Sequence, residues 1–135
     1  MNNKIVKIKE LIQYNIGFFK FLVVGGLSTS VDMLIYFILF PQFGAIWSKL
    51  ISMSFSILLS YNLNRHWSFK IERKRTIGEV LKYLATQLIN ITVNVSTNYI
   101  ALSLTGYKIV AFIIATATAM CINYLLQKVW VFRKK

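Results

Sequence analysis

The chain has 135 residues, 56% hydrophobic, 15% aromatic and only 15% charged, and its mean hydropathy of +0.57 excludes an ordinary water-soluble core. Sixteen Lys and Arg against four Asp and Glu give a formal charge of +12, which in a soluble chain would point to nucleic acid. Here the charges punctuate uncharged stretches, from Phe21 to Val31, Met33 to Ser48, Leu50 to Asn64, Tyr83 to Tyr107 and Ile109 to Gln127, so the composition describes a membrane protein with no nucleic-acid partner.

Lys4, Lys7 and Lys9 precede the first apolar run, as they would in a cleavable signal peptide. That run is too long for such a peptide and ends at Pro41-Gln42-Phe43-Gly44 without a small-x-small cleavage site, so a retained helix is expected. Only Asp32 interrupts it. The pattern predicts an all-α membrane protein of four transmembrane helices, at approximately 18–40, 47–66, 79–104 and 109–130, in one domain covering 1–135. Each is about the twenty residues that a hydrocarbon layer requires. Trp47, Lys49, Arg65 and Trp67 are placed to anchor the ends of the second. Cys121 is the only cysteine, which excludes an internal disulfide and leaves it as an apolar packing residue.

Fourteen of the sixteen basic residues lie in the N-terminal segment, the central loop and the C-terminal end; only Lys49 and Lys108 lie in the other two loops. The positive-inside rule then places both termini and the central loop in the cytoplasm. Membrane lipids are expected partners, because juxtamembrane cations attract anionic headgroups.

The chain also repeats itself. Asn15-Ile16-Gly17-Phe18-Phe19-Lys20 matches Thr76-Ile77-Gly78-Glu79-Val80-Leu81-Lys82 with one insertion, and Trp67-Ser68-Phe69-Lys70 matches Trp130-Val131-Phe132-Arg133. Thr76 and Glu79 have capping-box spacing. Asp32 falls opposite Asn94 in the same register. Two helix hairpins of the same orientation are the expected plan, as in some transporters.

Polar residues inside the spans separate into two kinds. Ser48, Ser52, Ser56, Ser60 and Asn64 recur every four residues in the second helix, as do Ala111, Ala115 and Ala119 in the fourth; small residues at that spacing make close helix seams. In the third helix Gln87, Asn90, Asn94 and Asn98 share one face, and Thr116, Asn123 and Gln127 form a comparable stripe in the fourth. Asp32 is costly inside a span and is a functional candidate for that reason. Its expected alternative is a structural hydrogen bond to Asn94 or Asn90.

Enzyme chemistry finds little support. Glu10, Asp32, Glu72 and Glu79 form no close pair in the sequence, and His66 sits among aromatic interface residues. Gly25-Gly26 lies inside an apolar helix rather than in a phosphate-cradling loop. No cofactor is implied.

Three segments resemble the GtrA-like family: Phe21-Leu22-Val23-Val24-Gly25-Gly26-Leu27-Ser28-Thr29-Ser30-Val31-Asp32, Asn62-Leu63-Asn64-Arg65-His66-Trp67-Ser68-Phe69, and Trp130-Val131-Phe132. The likeness runs from about Gly17 to Arg133. It implies a flippase-like protein of the bacterial cytoplasmic membrane that translocates a polyprenyl-phosphate-linked monosaccharide for cell-surface polysaccharide or teichoic acid glycosylation. It also implies glycosyltransferase partners, one on the cytoplasmic side and one outside; self-association is left open. Such a substrate needs cations for its phosphate and a polar track for its head. Arg65 and Lys128 close the second and fourth helices at matching positions, beside Asn62 and Asn64. Asp32, Gln87, Asn90, Asn94, Asn123 and Gln127 supply donors and acceptors of the kind sugar hydroxyls require. Two rival readings are a small proton-coupled exporter of cationic compounds and a non-transporting membrane adaptor for a glycosyltransferase.

Overall fold

Long apolar runs dictate helices, and helices are what the chain forms. The structure, a computed structural model, describes residues 2–134. Its elements are α1 (Asn3–Leu63), α2 (Ile77–Thr105) and α3 (Lys108–Leu126), with π turns at Asn64–Ser68 and Gln127–Val131. They form two compact units, unit 1 at Met1–Glu72 and unit 2 at Arg73–Lys135.

Unit 1 holds two helices, in the region where spans at approximately 18–40 and 47–66 are expected. The first begins at Asn3 and the second reaches Leu63; they are separated at Gly44, with φ 71° and ψ 179°. That backbone region is open essentially to glycine alone. Pro41, in the preceding turn, has no N–H to continue the ladder. The chain folds back there: Ser56 donates to the Ser28 carbonyl at 2.8 Å and Ser52 to Asp32 at 2.6 Å, so the halves of α1 run antiparallel. Before the break, residues 3–43 rise about 60 Å at 1.5 Å per residue, roughly twice a ~30 Å hydrocarbon layer. The additional N-terminal stretch carries Ile5, Ile8 and Ile12 exposed on one side, a stripe that the intervening lysines hide in a simple hydropathy reading.

Unit 2 is a second hairpin. Thr76 is the N-cap of α2 and accepts from the Glu79 N–H at 3.1 Å, as the capping-box spacing predicts. Gly106 ends α2 in the left-handed conformation, φ 72°, a C-terminal position that favours glycine. α2 and α3 pack against each other.

Burial is inside out. Among the described residues the buried set includes Ser28, Ser48, Ser52, Thr86, Asn123 and Gln127, while Leu34, Phe37, Ile38, Phe112 and Ile113 are exposed. Exposed apolar faces of this extent require a non-aqueous surrounding. Two helical runs, Asn3–Ser68 and Lys108–Val131, are long and apolar enough to cross a membrane, and the chain is a membrane protein. Long enough as well, α2 carries the amides that lower its hydropathy.

The small-residue stripes are the seams expected of them: Ser48, Ser52, Ala111 and Ala115 are fully enclosed and Ala119 nearly so. Leu at position 115 would have no space. Ala115→Leu is expected to cost about 1–3 kcal/mol through overpacking, read as a lowered midpoint of thermal unfolding in detergent. Ala115→Ser should be tolerated, because Ser52 holds the matching place in unit 1.

Candidate functional site

Four of the polar residues singled out in the sequence occur in two special turns. A π turn makes i to i+5 hydrogen bonds and is uncommon, most often appearing as a bulge at functional sites. In unit 1 the Phe69 N–H donates to the Asn64 carbonyl at 2.9 Å; in unit 2 the Phe132 N–H donates to the Gln127 carbonyl at 2.7 Å. Asn64 and Arg65 therefore lie in one π turn and Gln127 and Lys128 in the other. Helical periodicity read from sequence gives no signal for this widening.

Matching aromatic contacts brace the open end of each hairpin. Lys20 lies over the Trp67 ring at 5.5 Å, and Lys82 over Trp130 at 6.0 Å. Phe21 meets Phe69 edge-on at 6.4 Å, while Tyr83 meets Phe132 at 6.2 Å. Each unit thus reproduces the same internal brace, which is how the sequence repeat is expressed physically.

In unit 1, Arg65 is 4% exposed, and its guanidinium donates to the Ile71 carbonyl at 3.2 Å while its own carbonyl accepts from the Ile71 N–H at 2.8 Å. Lys70, at φ 50°, turns the chain between them. Arg65 therefore closes a loop, in addition to any part in holding an anion. Asn64 is buried; its carboxamide oxygen accepts from Ser68 at 3.1 Å. The Asn62 amide donates to the Leu58 carbonyl at 2.8 Å, and its backbone carbonyl lies 2.9 Å from the His66 ring.

Asp32 belongs to the other end of that hairpin, near the Gly44 turn. Its carboxylate takes the Lys49 ammonium at 2.6 Å and the Ser52 hydroxyl at 2.6 Å. The sequence reading sought its partner at Asn94 or Asn90 and assigned Lys49 to interfacial anchoring. Within unit 1 the carboxylate is neutralised by that lysine, which also lies 5.8 Å from the Tyr36 ring.

In unit 2, Gln87, Asn90, Asn94 and Asn98 are all half-buried along α2. The side-chain oxygen of Asn90 is buried and has no hydrogen-bond partner; the hydroxyls of Ser28 and Ser48 are in the same condition in unit 1. Buried polar atoms normally find partners, and an exception calls for water or ligand. Gln127 is fully enclosed and donates to Asn123 at 3.1 Å. Lys128 is half-buried with its ammonium 5.8 Å from the Tyr124 ring.

Sequence reasoning missed a third cluster. Arg73 donates to the Glu79 carboxylate at 3.1 Å, to the Val131 carbonyl at 3.2 Å and to the Arg133 carbonyl, so it clasps the end of the chain to the start of α2. Glu79 is 4% exposed. Its only signal in the sequence was the capping box, which explains its backbone N–H and not its carboxylate.

The GtrA/DPMS transmembrane-domain family model matches residues 20–132. Over 130 residues, 96% of this chain and 86% of that protein, the sequence is 25% identical to YngA of Bacillus subtilis (strain 168), described as an uncharacterized membrane protein.

Proposed function

Because the chain belongs to the GtrA/DPMS transmembrane-domain family, we propose that it translocates a polyprenyl-phosphate-linked monosaccharide across the cytoplasmic membrane of a bacterium, without catalysing a covalent step. Both termini and the central loop face the cytoplasm in this reading, on the strength of the basic-residue bias. A cytoplasmic enzyme charges the lipid carrier, and an external transferase passes the sugar to a surface polysaccharide or teichoic acid.

The observation that carries the proposal is the α2 amide column with the unpartnered Asn90 oxygen inside it. A hydroxylated head must leave water at one face and regain it at the other, and amides that both donate and accept replace its hydration. The tail needs no such help and stays in lipid. Asn123 and Gln127 are assigned to the same path in this reading, and Arg65 and Lys128 are the cations assigned to the phosphate. Moving one negative charge outward is favoured by an inside-negative potential, by about 2.3 kcal/mol per 100 mV for a full traverse.

The exporter reading fares worse on the geometry. Proton coupling needs an acid open to a cation-sized cavity, whereas the Asp32 carboxylate holds Lys49 and Ser52 at 2.6 Å each.

Reconstitution tests the proposal directly. Vesicles containing the protein and a short-chain polyprenyl-phosphate sugar should expose that sugar to an impermeant oxidant faster than protein-free vesicles. Asn90→Leu combined with Asn94→Leu should slow the rate at least tenfold at equal protein content. No acceleration with any lipid-linked sugar tested would overturn the reading.

A further inference from the structure

The open end of the unit 2 hairpin carries a half-open cavity of about 760 Å³, within the size range of small-molecule sites. Lys82, Arg133 and Lys134 line it together with Arg73, Glu79 and Trp130. Glu79 is the one acid among these, and its carboxylate is already engaged by Arg73 at 3.1 Å, so the lining carries a net charge of three positive. The first turn of α2 adds to the field, with Gly78 on the cavity wall, because a helix N-terminus carries partial positive charge.

These features assemble only in the folded unit. Arg73 reaches across to the carbonyls of Val131 and Arg133, and that clasp holds the C-terminal cations beside the start of α2. Lys82 is steadied over the Trp130 ring. The reading of fourteen basic residues as topological signals leaves this convergence unexplained, since a topology signal needs no cavity.

We propose that this cavity is a phosphate-ester site. An excess of three positive charges among the described lining residues of one half-open cavity matches a compact multivalent anion better than a single carboxylate, and Arg133 can offer forked donors to two phosphate oxygens. Trp130 and Val129, 40% and 59% exposed, give the same cavity an apolar wall. Phosphate on a lipid headgroup and phosphate on a soluble ester share this chemistry. The site stands apart from the amide column and does not depend on transport.

The test uses the full chain in phosphatidylcholine nanodiscs, with Trp47→Phe and Trp67→Phe so that Trp130 is the sole indole. Titration with inorganic phosphate, against chloride at equal ionic strength, is one arm; phosphatidylglycerol at increasing mole fraction is the other. A saturable change in Trp130 emission is expected in at least one arm. A response confined to phosphatidylglycerol assigns the site to headgroups, and a response to inorganic phosphate assigns it to soluble esters as well. Arg133→Gln with Lys134→Gln, both at exposed positions, should weaken the apparent affinity at least tenfold. Lys4→Gln with Lys7→Gln removes equal charge from outside the cavity and should leave it unchanged. Absence of saturation in both arms, or equal loss in the two double variants, would overturn the proposal. Phosphate binding by a chain that moves no lipid-linked sugar would uphold the site while removing the translocation reading.

Discussion

Lys49→Met should destabilise the protein more than Asp32→Leu, and the double variant should recover most of the loss. The side chain of Asp32 is 17% exposed and that of Lys49 50%. Without Asp32, the long lysine stem can carry its ammonium towards the interface. Without Lys49, the short carboxylate side chain has no such escape and keeps only the Ser52 hydroxyl. An unpaired charge at the centre of a span costs about 2.5–3.5 kcal/mol on insertion scales, which sets an upper value for the lysine variant. Replacing both partners by apolar groups removes the penalty altogether, as it often does for buried pairs. Thermal unfolding of the four proteins in one detergent completes the double-mutant cycle, with an expected coupling of about 1–3 kcal/mol. Additive losses would show that the 2.6 Å ion pair contributes nothing to stability.

Arg73→Ala should have the second large effect, and a local one. The guanidinium serves a buried carboxylate and two carbonyls of the chain end. Its loss leaves Glu79 in a low-dielectric site with less compensation, at a cost of about 2 kcal/mol after allowing for the partial exposure of Arg73. Amide exchange should accelerate at Val131 to Arg133 well before the centre of α3 is affected. Arg73→Lys should recover little, because an ammonium cannot span three acceptors with a planar fork. Uniform acceleration through unit 2 would mean that the clasp is no more important than any other contact.

The helical class was legible because charges in an apolar sequence mark where spans stop, and the amide face of α2 was legible because three- and four-residue spacing is the period of a helix. Asp32 was recognised as unusual, but its partner was not, since periodicity within one helix says nothing about which residue of the next segment lies opposite. Lys49 carried a sufficient explanation as an anchor. The helical residues ahead of the expected span at 18–40 were not legible, because Lys4, Lys7 and Lys9 read as a boundary, although lysine is a good helix former and the first helix begins at Asn3. The basic cavity was least visible: Arg73 and Arg133 are 60 residues apart, and only the hairpin brings them together.

The Gly44 reversal bears on how the protein is made. While residues 3–43 leave the ribosome alone, Asp32 has no counter-charge, and passage of that segment into lipid carries the expense of a bare carboxylate. Once Gly44 has turned and residues up to Ser52 have followed, the ion pair and the serine bond can form together. The paired hairpin, rather than its first helix, is therefore the expected unit of membrane insertion, and replacing Asp32 by Leu is expected to let the first helix insert without its partner.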